Sequence, residues 1–186
     1  MSIFTRMLGK PDMATIPYSS NSMEGLIARW VQWGASTKHD ANPISDLTGR
    51  NADKLQPNDV WFLAGCFGGS VHRKCTIPAN KKILVPVFNM WFTKHYEPPN
   101  LSKAHGVLKL NGKNIQLDKV STNKPFKIRG VWGNPVTGSI FEYEMRVGGL
   151  WKLLDPLPVG KHELFFRGDD GEGFYVEATY QIEVLP

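Results

Sequence analysis

From Phe174 to Val184 the chain alternates without a break. Phe174, Val176, Ala178, Tyr180, Ile182 and Val184 face one way, and Tyr175, Glu177, Thr179, Gln181 and Glu183 face the other. A repeat of two residues is the repeat of extended backbone, and it predicts a strand with one face on a core and one face in water. A helix would scatter the same apolar set around its circumference. Shorter apolar runs lie upstream, at Val60–Leu63, Lys81–Phe92, Val107–Leu117, Phe126–Trp132, Ser139–Val147, Leu150–Leu154 and Lys161–Arg167, each bounded by turn residues. Asn111-Gly112, between VLKL and KNIQL, suits a type I′ hairpin turn, whose two central residues need positive φ. Pro86 places its strand at a sheet edge or a bulge. This pattern predicts a mainly β fold, an antiparallel β-sandwich of jelly-roll or immunoglobulin-like type.

One segment breaks the pattern. Met23, Leu26, Ile27, Trp30, Val31 and Trp33 recur at helical spacing, with Arg29 and Gln32 on the wet side. Asn21 is the expected cap, Glu24 the reciprocal residue of a capping box, and Gly34 the expected stop, so one N-terminal amphipathic helix is predicted over 22–34. Residues 1–18, with Pro11 and Pro17, read as an irregular, loosely attached arm; residues 19–186 read as a single domain. Between helix and strands, residues 37–58 are rich in Asn, Asp, Pro and Gly, and the NPISDLTGRN stretch is a secondary site candidate.

At 186 residues, with six tryptophans and ten phenylalanines, the chain can build one dense core without disulfides. A net charge of +5 mildly favours anionic partners, but the lysines and arginines are dispersed, which argues against nucleic acid. No stretch is long and apolar enough to span a bilayer and the N-terminus lacks an export signal, so no membrane partner is expected. Two cysteines and no leader place the chain, as an expectation, in a reducing cytoplasm.

The densest chemistry lies between Val60 and Asn89, VWFLAGCFGGSVHRKCTIPANKKILVPVFN, which reads as a hairpin or strand-loop-strand unit. Its glycine pair and basic cluster predict an anion-binding loop: Gly68 and Gly69 would present backbone N–H groups, while His72, Arg73 and Lys74 supply charge. Cys66 and Cys75 flank this loop as free thiols or a disulfide pair. Trp91, His95, Tyr96 and Glu97, within WFTKHYE, are expected to line a pocket mouth. No cofactor or metal signature is present: P-loop, Rossmann, zinc and serine-hydrolase motifs are all missing, and the acidic GDDGEG stretch lacks the spacing of a calcium loop.

The segments ARWVQW, NPISDLTG, VWFLAGCFGG, RKCTIPANKKILVPVFN, GLWKLLDPLPVGKHELFFRG and FYVEATYQIEV occur in an order that resembles an uncharacterised family of β-rich bacterial proteins, many of them secreted. The resemblance runs from about Ser22 onward and implies a shared fold but no activity. The family pattern carries a cysteine after the TG pair, able to bridge to the Cys75 position; Asn51 stands there here, which implies an intracellular relative without that bridge. The expected function is non-catalytic binding of an anionic or polar small molecule, such as a phosphate, nucleotide or sugar, at the basic loop. The alternatives are an interaction module acting through sheet edges or a homo-oligomer, and an enzyme using Cys75 and His72.

Overall fold

The computed structural model describes residues 15–93 and 100–186. It is mainly β, with one α-helix and two mixed sheets. Helix α1 (Met23–Gly34) precedes β1 (Val60–Phe62), β2 (Gly69–Pro78), β3 (Lys82–Thr93), β4 (His105–Leu110), β5 (Lys113–Ile115), β6 (Asp118–Ser121), β7 (Phe126–Arg129), β8 (Glu142–Leu154), β9 (Gly160–Asp169) and β10 (Tyr175–Leu185). Among the described residues, no helix is long and apolar enough to cross a membrane.

Ser22 caps α1, one position later than expected, its side chain accepting a hydrogen bond from Gly25 N at 3.1 Å. Its hydroxyl can reach an orphan N–H of the first turn, which is what the cap position requires. Gly34 is the last helical residue, but its use is packing: a Cβ there would lie 2.9 Å from Ile44 Cδ1 of the long connection. The helix buries Leu26, Ile27, Trp30 and Val31 against Phe62, Leu84, Met145, Val147 and Trp151. The N-terminal arm is attached where it is described, since Thr15 O accepts from Lys127 N and Tyr18 Oη donates to Lys124 O.

The first sheet runs β1-β3-β8, with β6 and β7 following each other along the far side of β8; the second runs β2-β10-β9-β4-β5. The expectation of wholly antiparallel sheets is corrected here: β1 pairs with β3 and β2 with β10, both in parallel. The cause is the connection 63–68. It carries the chain from one sheet to the other, so β1 and β2 are not a hairpin, and each meets its partner only after a crossover. The runs predicted as two strands, 139–147 and 150–154, form the single strand β8, which continues through Gly148-Gly149.

Alternation within strands matches the pairing. Ile83 and Val85 face the second sheet, while Leu84 faces the helix. After Pro86 the register shifts, and this bulge turns both Val87 and Phe88 towards the second sheet. Pro86 also lies beyond the last pair with β1, so its missing N–H interrupts no ladder on that side. Facing these residues are Leu108, Leu164, Phe166, Val176, Ala178, Tyr180, Ile182 and Val184. The first sheet is therefore covered on both faces. The Asn111-Gly112 turn forms as predicted, with φ of 50° and 78° and Leu110 paired to Lys113.

Candidate functional site

Where α1, the end of β3, the connection 63–68 and the start of β10 converge, they leave a cavity of about 350 Å³. Trp30, Ile44 and Val176 contribute apolar surface, and Asn89, Met90, Trp91 and Phe92 line it from β3. Gly65, Cys66 and Phe67 close one side, with Asp170 and Phe174 opposite. Phe67 is 46% and Phe174 42% exposed, although both belong to an otherwise apolar wall. Phe67 stands edge-on to Trp91, with ring centroids 6.3 Å apart, and Trp91 lies 6.2 Å from Trp30.

Local chemistry fixes these walls. Trp30 donates from Nε1 to Leu63 O at 2.7 Å, tying the helix to the start of the connection. Asp170 Oδ1 accepts from Glu172 N at 2.7 Å and from Phe174 N at 3.1 Å, so the acidic GDDGEG stretch is a turn that holds Phe174 in place. Gly68 has φ of 101° and Gly69 of 82°, values that suit glycine at the turn into β2. A Cβ on Gly68 would also lie 3.1 Å from Phe174 Cε2. Asn89 Oδ1 is buried without a hydrogen-bond partner among the described residues. Among those residues there is no group of three or more potential metal ligands.

The predicted basic loop is corrected. His72, Arg73 and Lys74 are not at a loop tip but inside β2, where strand alternation separates them. His72 and Lys74 are exposed, whereas Arg73 is 2% exposed. Its guanidinium donates to main-chain oxygens of Ile44, Asp46, Ala64 and Gly65 and to Tyr180 Oη, so it presents no free fork to an anion. The signal was in the sequence: a period of two through SVHRKCTI puts Arg73 on the face of Val71, Cys75 and Ile77.

The cysteine reading meets the same geometry. Cys75 points inward and His72 outward from one strand, so the imidazole is on the wrong face to activate the thiol. Burial pushes the Cys75 thiol up to about 12, against a smaller opposing pull from Arg73, the reverse of what a nucleophilic thiolate needs. Cys66 and Cys75 are both free. Cys66 Sγ lies 3.5 and 3.3 Å from the carbonyl oxygens of Gly68 and Gly69.

Of the predicted pocket residues, Trp91 lines the cavity and Gly68 borders it, while His95, Tyr96 and Glu97 lie outside the described residues. Met90, Phe92, Phe174 and Val176, which by alternation alone are ordinary strand residues, also line the cavity, and nothing in the sequence sets them apart. Trp30 is core, at 1% exposure, and serves the cavity as well. Comparison of the chain with protein-family models, with curated proteins and with solved structures finds no match.

Proposed function

We propose that this protein is a β-sandwich that binds a neutral, apolar, ring-bearing small molecule in the cavity between α1, β3 and β10. The observation that carries the reading is a formed cavity whose lining includes Trp30, Phe67, Trp91, Phe92 and Phe174, with two of those rings left in water. Half-exposed phenylalanines over an apolar floor are a standing cost, which a ligand covering both rings would remove. Aromatic side chains also favour flat partners through offset and edge contacts.

This changes the ligand class from the one expected of the sequence. The anion site expected of the sequence drew its charge from His72, Arg73 and Lys74; the cavity lining contains no cation among the described residues, and Arg73 is held behind the wall. The ionisable residues of the lining are Asp170, committed to its turn, and Cys66. The family resemblance implies no activity, so the reading rests on the cavity.

Titration with N-phenyl-1-naphthylamine, a neutral two-ring fluorophore, tests it. Saturable binding at one site is expected, and Phe67→Ser should weaken it about tenfold, the equivalent of losing roughly 1.4 kcal/mol of apolar contact. Fluorescence that rises linearly with probe, without saturation and unaffected by Phe67→Ser, would rule the proposal out.

A further inference from the structure

We propose that Arg73 is the positioning residue of this cavity: it holds two otherwise separate wall segments in register without touching the ligand. The inference rests on the ligand-binding reading above and adds to it the group that sets the shape of the site. One wall residue, Ile44, comes from the long connection between α1 and β1; others, Gly65, Cys66 and Phe67, come from the connection between β1 and β2. Neither connection pairs with a sheet along these residues. Thr48 O of the first connection accepts from Lys74 N of β2 at 2.9 Å, and among the described residues the side chain that reaches both segments is Arg73. Arg73 Nη2 donates to Ile44 O at 3.0 Å and Nε to Asp46 O at 2.6 Å, while Nη1 lies 2.7 Å from Ala64 O and 2.8 Å from Gly65 O.

Tyr180 completes the arrangement from β10. Its hydroxyl accepts from Arg73 Nη1 at 2.8 Å, donates to Ala64 O at 2.8 Å and lies 3.1 Å from Ala64 N. Arg73 itself is absent from the cavity lining and forms no ion pair with a carboxylate among the described residues. A buried cation with no carboxylate bonded to it directly, only the Asp46 carboxylate acting at longer range, is a costly way to fill core volume, and a leucine would fill it more cheaply. A planar group with several fixed donors does what leucine cannot: it sets the separation of two loop backbones by accepting nothing and donating to both. The spacing between Ile44 and Gly65 is one dimension of the cavity, so ligand affinity should depend on a residue the ligand never meets.

The test compares Arg73→Lys with Val184→Ala, a core truncation at the far end of β10, each measured well below its own melting temperature. Lysine keeps the charge but has no planar fork. Arg73→Lys should weaken N-phenyl-1-naphthylamine binding about tenfold, and amide exchange at residues 44–48 and 64–67 should accelerate together. Val184→Ala should lower the melting temperature while leaving affinity within about twofold, because its cavity lies away from the site. Wild-type affinity and unchanged exchange in a folded Arg73→Lys protein would overturn the proposal. If the wild type binds no apolar probe, the ligand reading falls by itself, and joint acceleration of the two segments still decides whether Arg73 couples them. Should Arg73→Lys fail to fold, Tyr180→Phe removes one partner of the same guanidinium and should accelerate exchange at 44–48 as well as at 64–67; acceleration confined to 64–67, which the Tyr180 hydroxyl bonds directly, would count against the idea.

Discussion

Asp46 is the residue through which acid should reach the cavity wall. Its Oδ1 accepts from Thr48 N and Thr48 Oγ1, both at 2.8 Å, and its Oδ2 accepts from Asn51 N at 2.8 Å. Burial alone would raise the carboxyl, but the N–H groups of Asn51 and Thr48, the Thr48 hydroxyl and the Arg73 charge outweigh it, so the group titrates below its ordinary 3.8. A depressed folded pKa gives stability that is fully present above the unfolded value and is lost as pH falls through the folded one. The melting temperature should therefore drop as the pH is lowered below about 4, and Asp46→Asn should flatten that drop while lowering stability at neutral pH. Equal acid sensitivity in the two proteins, followed by circular dichroism, would remove Asp46 from the account. Arg73 belongs to the same scale. The basic cluster His72-Arg73-Lys74 marks it as chemically important, and that much was legible. The direction of its side chain follows from strand alternation, which a loop assignment for the same residues conceals.

At the scale of elements, the two sheets pack without room for a Cβ at a pair of glycines. Gly106 of β4 and Gly168 of β9 are cross-strand partners, and both face the bulged part of β3. A Cβ on Gly168 would lie 2.5 Å from Phe88 Cβ and 3.0 Å from Val87 O, atoms that cannot move without shifting β3. On Gly106 it would meet the ends of Leu150, Leu117 and Val87, the nearest at 2.9 Å. Gly168→Ala should cost about 1–3 kcal/mol of unfolding free energy, as overpacking against backbone does. Gly106→Ala should cost less, because terminal methyl groups can turn aside; urea midpoints would show the order, and a reversal would mean that the sheets separate easily. The bulge itself was half legible. Proline announced an irregularity in β3, but the sequence held no sign that Val87 and Phe88 would both turn inward. The helix was legible for a plainer reason: six apolar residues at helical spacing are a local pattern, while its ends differ in detail, the cap being Ser22 in place of Asn21, the N3 position Gly25 in place of Glu24, and the C-cap Ala35 following Gly34.

For the whole molecule, the decisive feature is how far apart the paired strands lie in the chain. β2 lies parallel to β10 along ten registered pairs, from Gly69 with Val176 to Pro78 with Leu185. β2 ends at Pro78 and β10 begins at Tyr175, so that ladder closes a long loop, and closure of long loops slows folding. Refolding from urea, followed through the clustered Trp30, Trp33, Trp91 and Trp151, should have its main phase on the millisecond-to-second scale. A microsecond main phase would mean that local elements, not the parallel ladder, limit the rate.

Strand content, the hairpin at Asn111-Gly112 and the position of the helix are written in the sequence, because each depends on residues within one or two turns of chain. Mixed sheet direction, the fusion of two predicted strands into β8 and the cavity are not. They depend on which distant segment each strand meets, and an alternating strand is equally content with many partners. Arg73 is the clearest case. Its charge belongs to the sequence; that the charge is sealed behind the cavity wall, bonded to two loops, was decided only when the tertiary fold brought Ile44, Ala64 and Tyr180 around it.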